Sequence, residues 1–282
     1  MKFSPFIKIL RVQNLLLLGV SVVLGFWLSH GPFGLGSICL LVIAAMSCAG
    51  FGNVINDIAD IRTDAISHPD RPLSRKEITR NQAAVFATLL ALTSLGCSFS
   101  VSVVHGVGVC IPLVLLAIYA VFLKGTPLAG NILVSALVAY GIVFGGLMAP
   151  GLFRILIPAF LAFLLNVPRE IIKDIQDLRG DTAAGIRTSA VLPAQALRII
   201  VTGCGIAYVL LVFLPFILHQ FGMLYAVICL AGVIPLHVYW FSLFHKSDWD
   251  TTAKAISSLI KYEMFCGLLA LAVDQLFVIH VK

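Results

Sequence analysis

Nine apolar stretches, at about 12–30, 33–56, 81–104, 106–123, 128–149, 152–170, 194–218, 221–244 and 258–279, divide this 282-residue chain. A helix crossing a bilayer core needs about 20 such residues, because without water every backbone N–H and C=O must be satisfied inside the helix. The stretches at 106–123 and 152–170 are short or contain proline, which membrane helices tolerate where neighbours satisfy the freed carbonyls. Hydrophobic residues make up 60% of the chain and charged ones 11%, with a mean hydropathy of +1.04, which excludes an ordinary soluble domain. The pattern predicts an all-α polytopic membrane protein of about nine transmembrane helices. No linker or low-complexity tract interrupts it, so residues 1–282 read as a single transmembrane domain. The apolar run that follows Lys2 is too long for a signal peptide and lacks a cleavage site, so it counts as the first span.

The basic residues predict an orientation. With the N-terminus inside, 17 of the 19 Lys and Arg fall on one side, and only Arg154 and Lys282 fall opposite. The positive-inside rule then makes this an integral protein of the cell membrane, with a cytoplasmic N-terminus and an outside C-terminus. The pI near 9.0 reflects these span-end charges and gives no reason to expect a nucleic-acid partner.

Acidic residues are concentrated further. Seven of the 13 lie in two stretches, Asn53 to Asp64 and Glu170 to Asp181. The pairs Asn53/Glu170, Asp57/Asp174, Asp60/Asp177 and Asp64/Asp181 are each 117 residues apart, which suggests an internal repeat of about four helices. An even number of spans makes the copies parallel and places both clusters on one side, in agreement with the charge rule. At about 100° per residue, each cluster projects its oxygens from one helix face, provided the helices continue that far. Facing lipid, each charge would cost about 2.5–3.5 kcal/mol, so the clusters must face a cavity, each other or cations. Oxygen ligands without His or Cys select Mg²⁺ or Mn²⁺, and two opposed faces could hold a diphosphate between metal ions. Arg71, Arg75 and Lys76 follow the first cluster, Arg169, Lys173 and Arg187 surround the second, and Lys124 stands alone near Tyr119 and Pro127. Such cations stabilise a departing diphosphate.

These residues resemble the UbiA-type intramembrane prenyltransferase superfamily. Asn56-Asp57-x-x-Asp60-x-x-x-Asp64 matches its first acidic motif, followed by Arg71-Pro72. Tyr119-x-x-x-x-Lys124-x-x-Pro127-x-x-Gly130-Asn131 resembles its middle motif, and Arg11-x-x-Asn14 its N-terminal signature. The second cluster, from Arg169 to Asp181, is most similar to the digeranylgeranylglyceryl phosphate synthase branch, although His68-Pro69-Asp70, Gln176 and Leu178-Arg179 depart from its usual pattern. The resemblance implies a helical bundle around a central cavity with Mg²⁺ between the clusters. It implies metal ligation, direct or through water, by Asn53, Asn56, Asp57, Asp60, Asp64, Asp174, Asp177 and Asp181. Lys124, Arg71 and Lys173 would hold the diphosphate. Glu170 would orient the acceptor hydroxyl or take its proton, and Arg11, Asn14, Tyr119, Asn131 and Arg169 would bind substrate. The substrates implied are an allylic, geranylgeranyl-type diphosphate and a lipophilic acceptor, geranylgeranylglyceryl phosphate first and an aromatic quinone or tetrapyrrole precursor second. No obligate protein partner is implied.

A secondary transporter is the competing reading, since transporters also use repeats and intramembrane carboxylates. Their acidic residues, however, usually stand singly near mid-span. Other signals carry less. The seven cysteines read as small buried hydrophobes. Gly141-x-x-x-Gly145 reads as a helix-packing motif, Trp27, Trp240 and Trp249 as interfacial anchors, and His68 as a loop residue beside the first cluster.

Overall fold

Residues 4–123 and 125–281 are described by a computed structural model. The helices are α1 (Ser4–Leu10), α2 (Val12–Leu28), α3 (Leu35–Ala59), α4 (Ile61–Ser67), α5 (Arg80–Val101), α6 (Val103–Ile118), α7 (Ala129–Gly145), α8 (Leu156–Ala183), α9 (Ala194–Leu211), α10 (Leu214–Ile217), α11 (Met223–Ile228), α12 (Ile234–Lys246) and α13 (Trp249–Val281). Tyr119–Leu123 extends α6 and Cys229–Val233 joins α11 to α12, each as a π-helical turn. Among the described residues there is no strand.

Every apolar stretch of the sequence coincides with a helix or a helix run. Seven runs are long and apolar enough to cross a membrane, and α1 with α2, bent by 54°, makes up to eight. The remaining stretch forms α7, which has 17 residues.

Two features position the cavity. Helices α2 and α7 touch backbone to backbone. A Cβ at Gly25 would lie 1.9 Å from the Ile142 carbonyl oxygen, and one at Gly145 would lie 2.0 Å from that of Val22. This makes Gly141-x-x-x-Gly145 the close-packing seam that its spacing suggests. The second feature is α8, which continues past the end of the apolar stretch at about 170 and through the whole second acidic cluster. Its apolar stripe explains the extension, because Ile171 and Ile172 are buried in the largest hydrophobic core, with residues of α9, α12 and α13. The first cluster behaves differently. The helix breaks at Asp60, so Asp57 and Asp64 sit on different helices, and α4 ends shortly before Pro69, as the restriction on residues preceding proline favours.

Trp240 departs from the anchor role. It is fully buried and donates its indole N–H to Glu263 Oε2 at 2.5 Å. All seven cysteines are free thiols, with Cys48 and Cys229 buried as expected and Cys39 exposed on the helix surface.

Candidate active site

A cavity of about 340 Å³ opens between α2, α3, α7, α8 and α13. Each helix grades from charged to apolar along it. Helix α2 contributes Asn14 near its start and Leu18 a turn later. Helix α3 changes from Cys48 to Asn53, Asn56 and Asp60, and α8 from Leu161 and Leu165 to Glu170, Asp174, Asp177 and Asp181. The chamber therefore has one end fit for an anionic group and another for a hydrocarbon.

Seven of the eight residues expected to serve a metal line this cavity; Asp57 lies behind its wall. Asp57 is 2% exposed and accepts from Arg11 Nη2 at 2.5 Å and Arg71 Nη1 at 3.4 Å. Arg71 also donates to Asp64 Oδ2 at 2.5 Å. Arg11 reaches Asp57 because it sits at the bend between α1 and α2 in the left-handed conformation (φ 54°, ψ 56°), which costs a non-glycine residue about 1–2 kcal/mol. Asn53 supports the same bend by donating its amide to the Leu10 carbonyl at 2.8 Å, so only its oxygen can serve a cation. Burial raises the Asp64 carboxyl above the ordinary range. Asp60 and Asp57 add to that rise, and Arg71 offsets only part of it. Burial works against the charge on Arg71, but Asp57 and Asp64 outweigh it and push its pKa further up.

The second cluster is held from other elements. Asp174 accepts from Asn131 Nδ2 at 2.9 Å, from the Ser189 backbone N–H at 3.1 Å and from the Ser189 hydroxyl at 2.5 Å. Asn131 is steadied in turn by a buried ladder in which Asn166 donates to the Ser135 hydroxyl and that hydroxyl to the Asn131 carbonyl. Asp177 meets His68 Nε2 at 2.8 Å. Glu170 is paired on both oxygens, with Arg169 at 3.1 Å and Lys173 at 2.8 Å. Tyr119 lines the cavity and lies over Gly130, where a Cβ would come within 2.9 Å of its ring.

Arg11, Asn14, Arg71, Arg169 and Lys173 also face the cavity, while Asn131 acts from behind Asp174. Lys124 lies outside the described residues. Arg75 points to Glu77 at 3.6 Å and takes no part in the cavity wall. Sequence reasoning missed Ser189 and Lys261 and undervalued His68. Nothing in their residue type or spacing marks them, since each reaches the site from a separate element.

Among the described residues no three His, Cys, Asp or Glu side chains form a ready metal cluster. The donors are carboxylate and amide oxygens, and the buried Oδ1 of Asn56 has no hydrogen-bond partner. Such hard oxygens suit Mg²⁺, which binds through one or two carboxylates and takes its remaining ligands from water and substrate phosphates.

The UbiA prenyltransferase family model matches residues 18–268. The chain is 33% identical to digeranylgeranylglyceryl phosphate synthase of Methanopyrus kandleri, covering 94% of this chain and 97% of the relative. It is 32% identical to the protein of that name from Methanoculleus marisnigri, covering 97% and 99%. A solved structure from work on digeranylgeranylglyceryl phosphate synthase in membranes superposes with a TM-score of 0.77 at 27% identity, over 97% of this chain and 98% of that one. A UbiA homologue from Archaeoglobus fulgidus bound to GPP and Mg²⁺ shares the fold, with a TM-score of 0.66 at 16% identity over 93% and 99%. Full-length similarity, apolar helices and a charged cavity agree: the chain belongs to the UbiA prenyltransferase family and is a multi-pass integral membrane enzyme.

Proposed function

We propose that this enzyme transfers a geranylgeranyl group from its allylic diphosphate to geranylgeranylglyceryl phosphate, in a Mg²⁺-dependent reaction that forms an ether and releases diphosphate. The observation that carries the reading is the convergence of both acidic clusters on the charged end of one cavity whose other end is apolar. The names of the relatives in Methanopyrus kandleri and Methanoculleus marisnigri support the acceptor, and the homologue bound to GPP and Mg²⁺ supports the donor and the metal.

Bound Mg²⁺ would neutralise the diphosphate and favour its departure; Asn53, Asn56, Asp60, Asp64, Asp174, Asp177 and Asp181 are the residues proposed to hold it. Arg71 and Lys173 face the same space and would take up negative charge as the allylic C–O bond breaks and its electron pair leaves with diphosphate. Lys124 joins them in this proposal on its sequence position. The acceptor oxygen then bonds to the allylic carbon, and Glu170, held between Arg169 and Lys173, takes the hydroxyl proton. Asp57 serves as an anchor for Arg11 and Arg71. The apolar wall excludes water that would otherwise quench the cation. In this reading residues 1–282 act as one prenyltransferase domain. The basic residues support a cytoplasmic N-terminus and cytoplasmic acidic motifs, with the C-terminus outside.

The test uses purified protein in detergent with radiolabelled geranylgeranyl diphosphate and Mg²⁺, offering geranylgeranylglyceryl phosphate and an aromatic acid separately. Lipid product with the first, lost in Asp174→Ala, is the expected result. Product with the aromatic acid alone would overturn the acceptor. No release of diphosphate with either acceptor would point away from prenyl transfer.

A further inference from the structure

A second, more open pocket adjoins the main cavity at the junction of α1 and α2, facing α13. It is lined by Lys8, Arg11, Asn14 and Lys261 among others, and it shares Arg11, Asn14 and Lys261 with the main chamber. Lys261 also lies within electrostatic reach of Arg169 and Lys173. Three cations, Lys8, Arg11 and Lys261, therefore line this mouth, and Arg169 and Lys173 stand on the adjoining wall of the main chamber. Two carboxylates answer them: Asp57 pairs with Arg11, and Glu170 with Arg169 and Lys173. Lys8 and Lys261 make no ion pair among the described residues. The balance is the reverse of the acidic end of the chamber, where carboxylates predominate.

We propose that this mouth is the phosphate site of the acceptor lipid, with Lys261 from α13 and Lys8 from α1 gripping the headgroup beside Arg11 and Asn14. The inference rests on the function proposed above and names the part of the acceptor that is recognised. A phosphate monoester carries about −1.5 to −2 charges at neutral pH and would be repelled by the Asp-rich end. With the metal-bearing end given to the diphosphate, the acceptor phosphate is best placed where cations exceed carboxylates, and from the mouth its alkyl chain can still follow the apolar wall. Lys261 lies in a helix that is apolar enough to span a membrane, where an uncompensated ammonium is costly. An anionic headgroup offsets that cost. The two lysines differ in role. Lys261 is partly buried and fixes the phosphate, whereas exposed Lys8 closes on it from outside.

The experiment compares wild type, Lys261→Gln, Lys8→Gln, the double variant and Lys261→Arg, all in neutral detergent. Acceptor and prenyl diphosphate concentrations are varied separately. The double variant should raise the KM for geranylgeranylglyceryl phosphate by about tenfold or more, as expected for losing charge-assisted hydrogen bonds. The KM for geranylgeranyl diphosphate and kcat at saturating acceptor should stay unchanged, and Lys261→Arg should recover most of the loss. A rise in the prenyl diphosphate KM, or an unmoved acceptor KM, would overturn the site. A second arm separates this failure from failure of the proposed function. Thermal unfolding is followed with geranylgeranylglyceryl phosphate, its dephosphorylated diol, inorganic phosphate or a bulk anionic phospholipid. Stabilisation by the phosphorylated lipid alone, lost in the double variant, supports the site even if no turnover occurs. Equal stabilisation by bulk phospholipid or free phosphate would reduce the mouth to a general anion patch and overturn its role in acceptor recognition.

Discussion

His68 Nε2 lies 2.8 Å from Asp177 Oδ1, joining the segment after the first acidic cluster to the middle of the second across 109 residues of chain. Like Arg11 to Asp57, and Asn131 and Ser189 to Asp174, it connects a separate stretch of sequence to a cluster carboxylate. The clusters are thus placed by cross-links from the N-terminal bend, from the loop after α4 and from α7.

Replacing His68 by Ala should loosen the registry of the clusters without unfolding the protein. Both partners are about a third exposed, so the contact is worth about 1 kcal/mol at most, or roughly a fivefold loss in kcat/KM. His68→Gln, which keeps a donor, should lose less. Steady-state kinetics check this, and a loss beyond a hundredfold would instead place His68 in the chemistry.

Gly25 and Gly145 leave no room for a side chain, because a Cβ at either would sit within about 2 Å of a backbone oxygen that cannot rotate away. Gly145→Val should force α2 and α7 apart and cost about 1–3 kcal/mol or more by overpacking. A lowered unfolding temperature in detergent is the expected readout. Gly96→Ala, inside α5 with nothing within 4 Å of the added carbon, is the control that should not destabilise and should gain about 0.5–1 kcal/mol from helix propensity.

Glu263 is fully buried and is bonded to His237 Nδ1 at 2.9 Å and to Trp240 Nε1 at 2.5 Å, away from the cavity wall. Glu263→Ala leaves both ring nitrogens without that partner in an apolar surround, at about 1–3 kcal/mol for each group left unsatisfied. Thermal stability should fall clearly, while KM values measured on the folded fraction stay near wild type. A selective change in KM would assign this triad to the reaction instead.

Chelation should abolish prenyl transfer, and added Mg²⁺ should restore it. Metal binding needs the ionised carboxylate, and the carboxyl of Asp64 is raised by burial. As pH falls through that raised value its metal-binding form is lost, starting at a higher pH than for an ordinary carboxylate. The Mg²⁺ concentration giving half-maximal activity should therefore increase between neutral and mildly acid pH. In Asp64→Asn that part of the pH dependence should flatten.

Much of this was legible in the chain itself. Apolar runs near bilayer length mark the helices because unpaired backbone cannot remain in lipid, and each coincides with helix in the structure. Matched carboxylate spacing marks Asp60, Asp64, Asp174, Asp177 and Asp181, and all five line the cavity. Tertiary structure alone decided which oxygens face a ligand and which are neutralised. Asp57 and Asp60 belong to one motif, yet Asp57 lies behind the wall between Arg11 and Arg71 while Asp60, where α3 ends, faces the chamber. Trp240 looked like an anchor because hydropathy cannot reveal a buried Glu263 one helix away. Ser189 and His68 reach cluster carboxylates, and Lys261 the cavity wall, from three unrelated elements. Local pattern sets where a helix forms and which face is polar; which polar faces meet depends on long-range packing such as the Gly25–Gly145 seam, and no single stretch of sequence encodes it.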